Sequence, residues 1–391
     1  MSTTSLLPVY RRSGIVIERG EGVYLYAPDG TRYLDFASGI AVNALGHSHP
    51  HLVAALRDQA AKLWHVSNMY STPGLLRFAD RLVAATFADK IFFCNSGSEA
   101  VECGIKMIRK YFSSPSRGEG KNRIITFEGG FHGRTLACIS AGGNEIAREG
   151  YAPLLDGFDR VPFGDLAAVE RAITPHTAGI LVEAIQGEGG VRVASVEFLQ
   201  GLRKLADKHG LLLMLDEVQA GMGRTGKLFA FEHAGIVPDI VTVAKGIGNG
   251  FPLAACLAGD KVAAAMSPGT HGSTYGANPL AMAVGNAVLD IMLAEGFFAQ
   301  VEKMGAALES GLRELQRRFP AVIAEVRGRG LLLGIRMAIP HHAFVEALRE
   351  EKLLTSPAQD NVIRIIPPLV VNSGHISDAL AILARICEKV P

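Results

Sequence analysis

The stretch "LLLMLDEVQAGMGRTGK", residues 211–227, runs apolar side chains straight into two acids and then breaks into glycines. A buried carboxylate is costly unless something stabilises its charge, so Asp216 and Glu217 at the end of a strand-like run call for a partner. One reading is the magnesium-binding strand of a P-loop ATPase, with "GMGRTGKL" (221–228) as the phosphate loop. That loop needs Ser or Thr directly after its Gly-Lys to hold the metal, and position 228 is Leu. The order is also reversed, because the acids come before the glycines. A second reading needs a lysine further along the chain.

The surroundings of this stretch set the fold class. Between about residues 75 and 285, short apolar runs alternate with amphipathic helices. The runs are "KIFFC" (90–94), "RIITF" (123–127), "GILVEAI" (179–185), "LLLML" (211–215), "DIVTVA" (239–244) and "LAACLA" (253–258). Uninterrupted runs of this kind suit strands covered on both faces, which predicts an α/β fold with a mostly parallel sheet flanked by helices. Helical period is visible in Val101, Ile105, Ile108 and Phe112, and again in Phe198, Leu202, Leu205 and Ala206, with Gly210 as a stop. The C-terminal third differs. Helices expected at about 296–318, 341–351 and 375–388 surround strands at "VIAEVRG", "LLLGIRM" and "VIRII", which reads as a smaller α+β lobe. The predicted division is an N-terminal segment 1–52 packing with the small lobe, a large domain 53–285, and a small domain 286–391.

Composition narrows the classes of function. With 39 basic and 38 acidic residues the formal net charge is +1, which argues against a nucleic-acid or membrane-surface partner. The five cysteines are scattered and never form a CxxC pair, so reduced thiols and no structural metal are expected. "GHSHPH" offers His47, His49 and His51, but no acid or cysteine adjoins them in sequence, and turn or helix-start roles are the better reading. No apolar run approaches a membrane span, and the expectation is a cytoplasmic enzyme.

The lysine lies in "DIVTVAKGIGNGFP" (239–252), where Lys245 ends an apolar run and glycines follow. A strand-end lysine by itself usually just reaches solvent. Paired with an acid at another strand end it becomes specific, because ligands of open parallel sheets gather at the strands' carboxyl ends. Schiff-base chemistry on pyridoxal phosphate needs such a lysine, and it needs a carboxylate to keep the ring nitrogen protonated. At roughly 4 Å and an effective dielectric of about 20, that carboxylate contributes about 4 kcal/mol, or about three pKa units. Asp216 suits that role, and Glu217 is left open. The turn and helix start in "FFCNSGSEAVECGIKMIRKY" (92–111) can bring Gly97 and Ser98 to a phosphate. The same serines equally suit plain N-caps with Glu99 in the first turn, and both readings stand. Phe131 of "GGFHGRT" can stack on a ring.

These residues carry a resemblance. "GIAVNALGHSHP", "NSGSEA", "GGFHGRT", "VEAIQGEGG", "LDEVQAGMGRTG", "PDIVTVAKGIGNGFP", "HGSTYGANPLA" and "VIRIIPPL" occur in order along the chain. In these it resembles the class III pyridoxal-phosphate aminotransferases of fold type I over nearly its full length. The resemblance implies that Lys245 carries the cofactor and shuttles the substrate proton, that Asp216 holds the pyridine nitrogen, and that Gln219 bonds the ring hydroxyl. It implies Phe131 over one ring face, and Gly97 and Ser98 at the phosphate with Thr274 of a neighbouring subunit, hence a homodimer with shared sites. It also implies 2-oxoglutarate and an ω-amino donor as substrates, read by Arg134 and Ser273, with Arg364 silenced by Glu188 when the donor is bound. Without the resemblance, Glu188 and Arg364 read as an ordinary structural ion pair. Ala184, Asn249, Ala254 and Ala277 depart from residues common in the family.

Overall fold

The apolar runs become the strands of one seven-stranded sheet, in the order Lys90–Cys94, Ala254–Ala258, Ile240–Val243, Leu212–Asp216, Thr177–Val182, Arg123–Phe127 and Phe158–Val161. The computed structural model describes residues 5–118 and 120–390, so residues 1–4 of the expected N-terminal segment lie outside it. Leu212–Asp216 pairs in parallel with both neighbours, as does Arg123–Phe127. Every residue of Thr177–Val182, Leu212–Asp216, Ile240–Val243 and Ala254–Ala258 is buried, which is why these strands lack polar alternation. Ala254–Ala258 runs antiparallel to both its neighbours. Connection 244–253 is too short for the crossover that a parallel neighbour requires. The sequence reading missed Phe158–Val161, a half-exposed edge strand with a charged pair at its centre.

Helices cover the sheet with the faces their period predicts. Gly97–Tyr111 buries Val101, Ile105 and Ile108, and Val196–His209 ends at Gly210 in the left-handed conformation (φ 59°). The C-terminal lobe is a four-stranded antiparallel sheet of Ile323–Arg329, Leu332–Met337, Val362–Ile365 and Ser356–Ala358. Helices Phe297–Arg318, His341–Glu350 and Ser373–Lys389 belong with it. Strands Tyr24–Tyr26 and Arg32–Asp35 form a small sheet that Leu353–Leu354 extends in parallel, so residues 24–35 join the C-terminal lobe. A single apolar cluster reaches from Phe36 and Phe78 through Leu215 and Val243 to Leu333 and Ile363.

The glycine-rich loop that imitated a phosphate cradle joins the lobes instead. Arg224 is fully buried, and its Nη1 donates to the carbonyls of Leu331 (3.1 Å) and Pro367. No carboxylate pairs with it among the described residues, and burial pushes its pKa down to about 9. A short 3₁₀ turn, Ala230–Ala234, follows the loop where a phosphate-binding loop would start a long helix. "GRGLLLG" is the turn of a hairpin between Ile323–Arg329 and Leu332–Met337. The histidines serve locally: His49 caps a helix, His47 bonds Asp35 (2.8 Å), and His51 bonds Asp290 (2.9 Å). Among the described residues no group of three or more His, Cys, Asp or Glu could hold a metal ion, and no single helix is long and apolar enough to cross a membrane.

Candidate active site

A cavity of about 400 Å³ opens at the carboxyl ends of the central strands, and Asp216 and Lys245 both line it. Successive strand residues face opposite ways, which separates the two acids of the opening stretch. Glu217 turns away from the cavity, and its carboxylate accepts the N–H groups of Ala230 (3.0 Å) and Phe231 (2.9 Å). Burial raises its pKa to about 8; it braces a loop. Asp216 turns inward and is 4% exposed. Its Oδ1 accepts from Val218 N (3.0 Å) and Thr242 Oγ1 (3.3 Å), and its Oδ2 bonds His132 Nδ1 at 2.8 Å.

Lys245 stands just past strand Ile240–Val243 in a left-handed conformation (φ 52°), an unusual one for lysine. It opens a short 3₁₀ turn whose closure, Gly248 N to Lys245 O (3.1 Å), holds the backbone there. Burial pushes its pKa down to about 8, although the carboxylates of Glu188 and Asp216 pull it up. A mostly apolar site thus keeps part of this amine neutral and nucleophilic near neutral pH.

At the helix start, one of the serines is a cap. Ser96 is the cap, its Oγ accepting from Glu99 N (3.3 Å) while the Glu99 carboxylate accepts from Ser96 N (3.1 Å). Gly97 and Ser98 are then the first helical residues, whose N–H groups have no intrahelical partner, and both line the cavity. A Cβ on Gly97 would meet Val218 Cγ1 at 2.8 Å, so nothing larger sits there without displacing the Val218 side chain. Ser98 Oγ accepts from Arg134 N (3.2 Å) and so joins this helix to the loop carrying Phe131. Phe131 lines the cavity, and its N–H donates to Glu183 Oε1 at 2.8 Å. Burial, reinforced by nearby Asp216, pushes the Glu183 carboxyl well above its usual range.

The residues expected to read substrate lie in different settings. Arg134 is exposed at the cavity edge, 5.5 Å above the Phe131 ring, with no carboxylate partner among the described residues. Arg364 is 1% exposed and bonds Glu188 Oε1 (2.5 Å), Gln219 Oε1 (3.3 Å), Ser356 Oγ (2.9 Å) and Pro357 O (3.0 Å). Burial alone would raise the Glu188 pKa, but the guanidinium outweighs it and holds the carboxyl below its ordinary value. Glu188 and Gln219 line the cavity, whereas Ser273 and Thr274 do not. Ser273 Oγ accepts from Asn95 Nδ2 (3.3 Å) and Gly276 N (2.9 Å), and Thr274 is exposed outside the cavity. Asn249 takes a left-handed φ of 45° and uses its amide to bond Leu45 N (2.6 Å) and Gly46 O (3.0 Å).

Sequence reasoning passed over His132 and Glu183. A lone histidine or a strand-end glutamate carries no spacing signal; only their position beside Asp216 and Phe131 gives them meaning. Together the cavity offers an amine of lowered pKa, a braced carboxylate, an aromatic face and a helix N-terminus. That donor set suits a planar pyridine aldehyde bearing a phosphate.

The model of the family described as aminotransferase class-III matches residues 8–387. An acetylornithine aminotransferase of Agrobacterium fabrum is 57% identical over 376 residues, 96% of this chain and 94% of that protein. One of Brucella melitensis is 54% identical over 385 residues, 98% of this chain and 95% of that protein. Among solved structures, an ornithine aminotransferase of Toxoplasma gondii superposes with a TM-score of 0.95 at 31% identity, covering 99% of this chain and 93% of that one. An N-acetylornithine aminotransferase of Stenotrophomonas maltophilia superposes with a TM-score of 0.84 at 40% identity, covering 96% of each chain. On its sequence over nearly its whole length and on its fold, the chain belongs to the class III aminotransferases.

Proposed function

We propose that this chain transfers the δ-amino group of N2-acetylornithine to 2-oxoglutarate, giving N-acetylglutamate 5-semialdehyde and glutamate, with pyridoxal 5'-phosphate as cofactor. The contrast between the two arginines carries the reading. One enzyme must bind a donor with a single carboxylate and then an acceptor with two. That calls for one arginine always available and one that can be silenced. Arg134 has no carboxylate partner among the described residues, whereas Arg364 is neutralised by Glu188 at 2.5 Å. Bidentate pairing with carboxylates suits arginine at both places. The names of the relatives at 54% and 57% identity favour an acylated donor.

The cofactor supplies an aldehyde that condenses with amines and a protonated ring that withdraws electrons from the substrate carbon. Lys245 would hold that aldehyde covalently. Its Nζ, when free, would be the group to remove a proton from the donor's δ-carbon, a task suited to an amine whose pKa is about 8. Asp216 would keep the ring nitrogen protonated, and His132 holds the carboxylate's orientation through its bond to Oδ2. Gly97 and Ser98 would present N–H groups to the phosphate, Phe131 would cover one ring face and Gln219 would bond the ring hydroxyl. Arg134 holds the donor's carboxylate. When 2-oxoglutarate replaces the donor, Glu188 swings aside and Arg364 takes the second carboxylate.

A homodimer would complete the site. Trp64, Met69, Tyr70 and Tyr275 are 63–81% exposed. Asn68 bonds Ser273 O (3.0 Å) and Gly276 O (3.1 Å), which joins these residues into one face with Thr274. Covering that apolar face with a second copy would carry Thr274 towards the partner's phosphate. A soluble, cytoplasmic enzyme is the matching setting. Steady-state rates with acetylornithine, ornithine, 4-aminobutyrate and succinyl-diaminopimelate test the substrate. The highest kcat/KM is expected for acetylornithine, and a preference for 4-aminobutyrate or ornithine would overturn that assignment.

A further inference from the structure

Glu188 sits on a loop and Arg364 on strand Val362–Ile365, and a third residue ties that loop to the turn just before the strand. Arg327, on strand Ile323–Arg329, is largely buried with its side chain 16% exposed. Its Nε donates to Gly190 O at 2.7 Å, and its Nη2 donates to Asp360 Oδ2 at 2.7 Å. Gly190 lies two residues beyond Glu188, and Asp360 lies four before Arg364. The same two loops meet directly, because Gln359 N donates to Glu188 O at 3.1 Å. Asp360 and Asn361 are both left-handed (φ 60° and 55°), as is Val191 (φ 55°), so each loop bends sharply where Arg327 grips it. The fit is close: a Cβ on Gly190 would stand 2.8 Å from Arg327 Nη2 and 2.8 Å from Gln359 O.

We propose that Arg327 is a positioning residue that sets the balance between the closed and open states of the Glu188–Arg364 pair, and thereby the preference between monocarboxylate and dicarboxylate substrates. The proposal rests on the reading of that pair as a carboxylate switch. Arg364 has anchors of its own in Ser356 Oγ and Pro357 O, and its strand pairs with Leu332–Met337. Apart from Arg364 itself, the Glu188 side chain has the neutral Gln219 amide beside it, and its backbone is held by the segments that Arg327 ties. With the backbone of 188–190 pinned, Glu188 leaves Arg364 by side-chain rotation alone and returns to the same place. Without Arg327 the loop loosens, Glu188 competes less well for Arg364, and dicarboxylates gain.

The test uses holoenzyme of Arg327→Met and Arg327→Lys. Binding of glutarate, an unreactive five-carbon dicarboxylate, is read by calorimetry, and the two half-reactions are read by single-turnover absorbance of the bound cofactor. Loss of a charge-assisted hydrogen bond predicts glutarate binding about tenfold tighter in Arg327→Met, and an acetylornithine-to-glutamate ratio of kcat/KM about tenfold lower. The glutamate maximum rate stays unchanged, and Arg327→Lys lies between. A purely structural role would lower both half-reactions equally with glutarate affinity unchanged or weaker, and that result overturns the proposal. If Arg327→Met does not fold, Asp360→Asn must move both readings the same way, and its failure to do so also overturns the proposal. Arg364→Ala separates the two ideas. If that variant binds glutarate as tightly as the parent, the switch reading falls and the proposal with it; a large loss there, with unchanged ratios in the Arg327 variants, refutes the role of Arg327 alone.

Discussion

Replacing Glu188 by Gln keeps the shape of the side chain and removes its charge. Arg364 is 1% exposed, and of its four partners only Glu188 is charged; Gln219, Ser356 and Pro357 supply neutral oxygens. The Glu188 carboxyl is held below its ordinary pKa, so its charge is fully present at neutral pH and is lost only as pH falls through that lowered value. A hydrogen bond to a charged partner contributes about 1.5–3 kcal/mol and a neutral one about 0.5–1.5. The substitution therefore weakens the hold on Arg364 by about 1.4 kcal/mol, about tenfold in an equilibrium. A freed guanidinium favours glutamate and 2-oxoglutarate, and it repels the cationic amine of an ω-amino donor. Single-turnover half-reactions with glutamate and with acetylornithine measure the two sides separately. The expected result is an acetylornithine-to-glutamate ratio of kcat/KM lower by about tenfold, with the glutamate side maintained or improved. An unchanged ratio, or a loss confined to glutamate, would refute the idea that Glu188 silences Arg364.

Asp216→Asn removes the charge proposed to keep the ring nitrogen protonated; about three pKa units of lost stabilisation predict a fall in kcat on the order of 10³, and a loss under tenfold in a rate assay speaks against the role. Because the Lys245 pKa is lowered to about 8 from an ordinary 10.5, the rate at which cofactor-free protein captures pyridoxal phosphate should rise with pH and level off above about 8. A stopped-flow profile still climbing towards 10.5 would contradict that environment. The same lowered pKa means that the unfolded chain binds more protons between about 8 and 10.5, so this lysine makes the cofactor-free protein more stable as pH rises through that window. Gly187→Ala drives a methyl group into the side-chain amide of Gln219; folded protein with weakened cofactor binding, read by equilibrium dialysis, is expected, and unaltered affinity would detach Gln219 from the cofactor.

The sheet was legible because its strands are buried on both faces: "KIFFC" and "RIITF" are strands Lys90–Cys94 and Arg123–Phe127 to the residue. The edge strand Phe158–Val161 has no such run, since half-exposed Asp159 and Arg160 interrupt it. Apolar runs argue for a mostly parallel sheet but do not give the direction of any one strand; the signal for the reversed strand Ala254–Ala258 was the short connection 244–253, which the run pattern does not weigh. At the site, Asp216 and Lys245 were readable as polar residues ending buried runs. His132, Glu183 and Arg327 act across distances in sequence of 52–137 residues, through contacts with Asp216, Phe131 and Gly190 that only the folded chain brings together. Arg224 looked like part of a phosphate loop because glycine-rich turns share composition whatever they touch. Its burial between Leu331 and Pro367 is a tertiary fact.

The central claim is a covalent bond between the ε-amine at position 245 and the coenzyme aldehyde. Borohydride reduction of the holoenzyme followed by peptide mass mapping measures it directly. The account predicts one phosphopyridoxyl group per chain, on the peptide containing Lys245 and absent from Lys245→Ala. A reduced label on another lysine, or none at all in coloured holoenzyme, would contradict it.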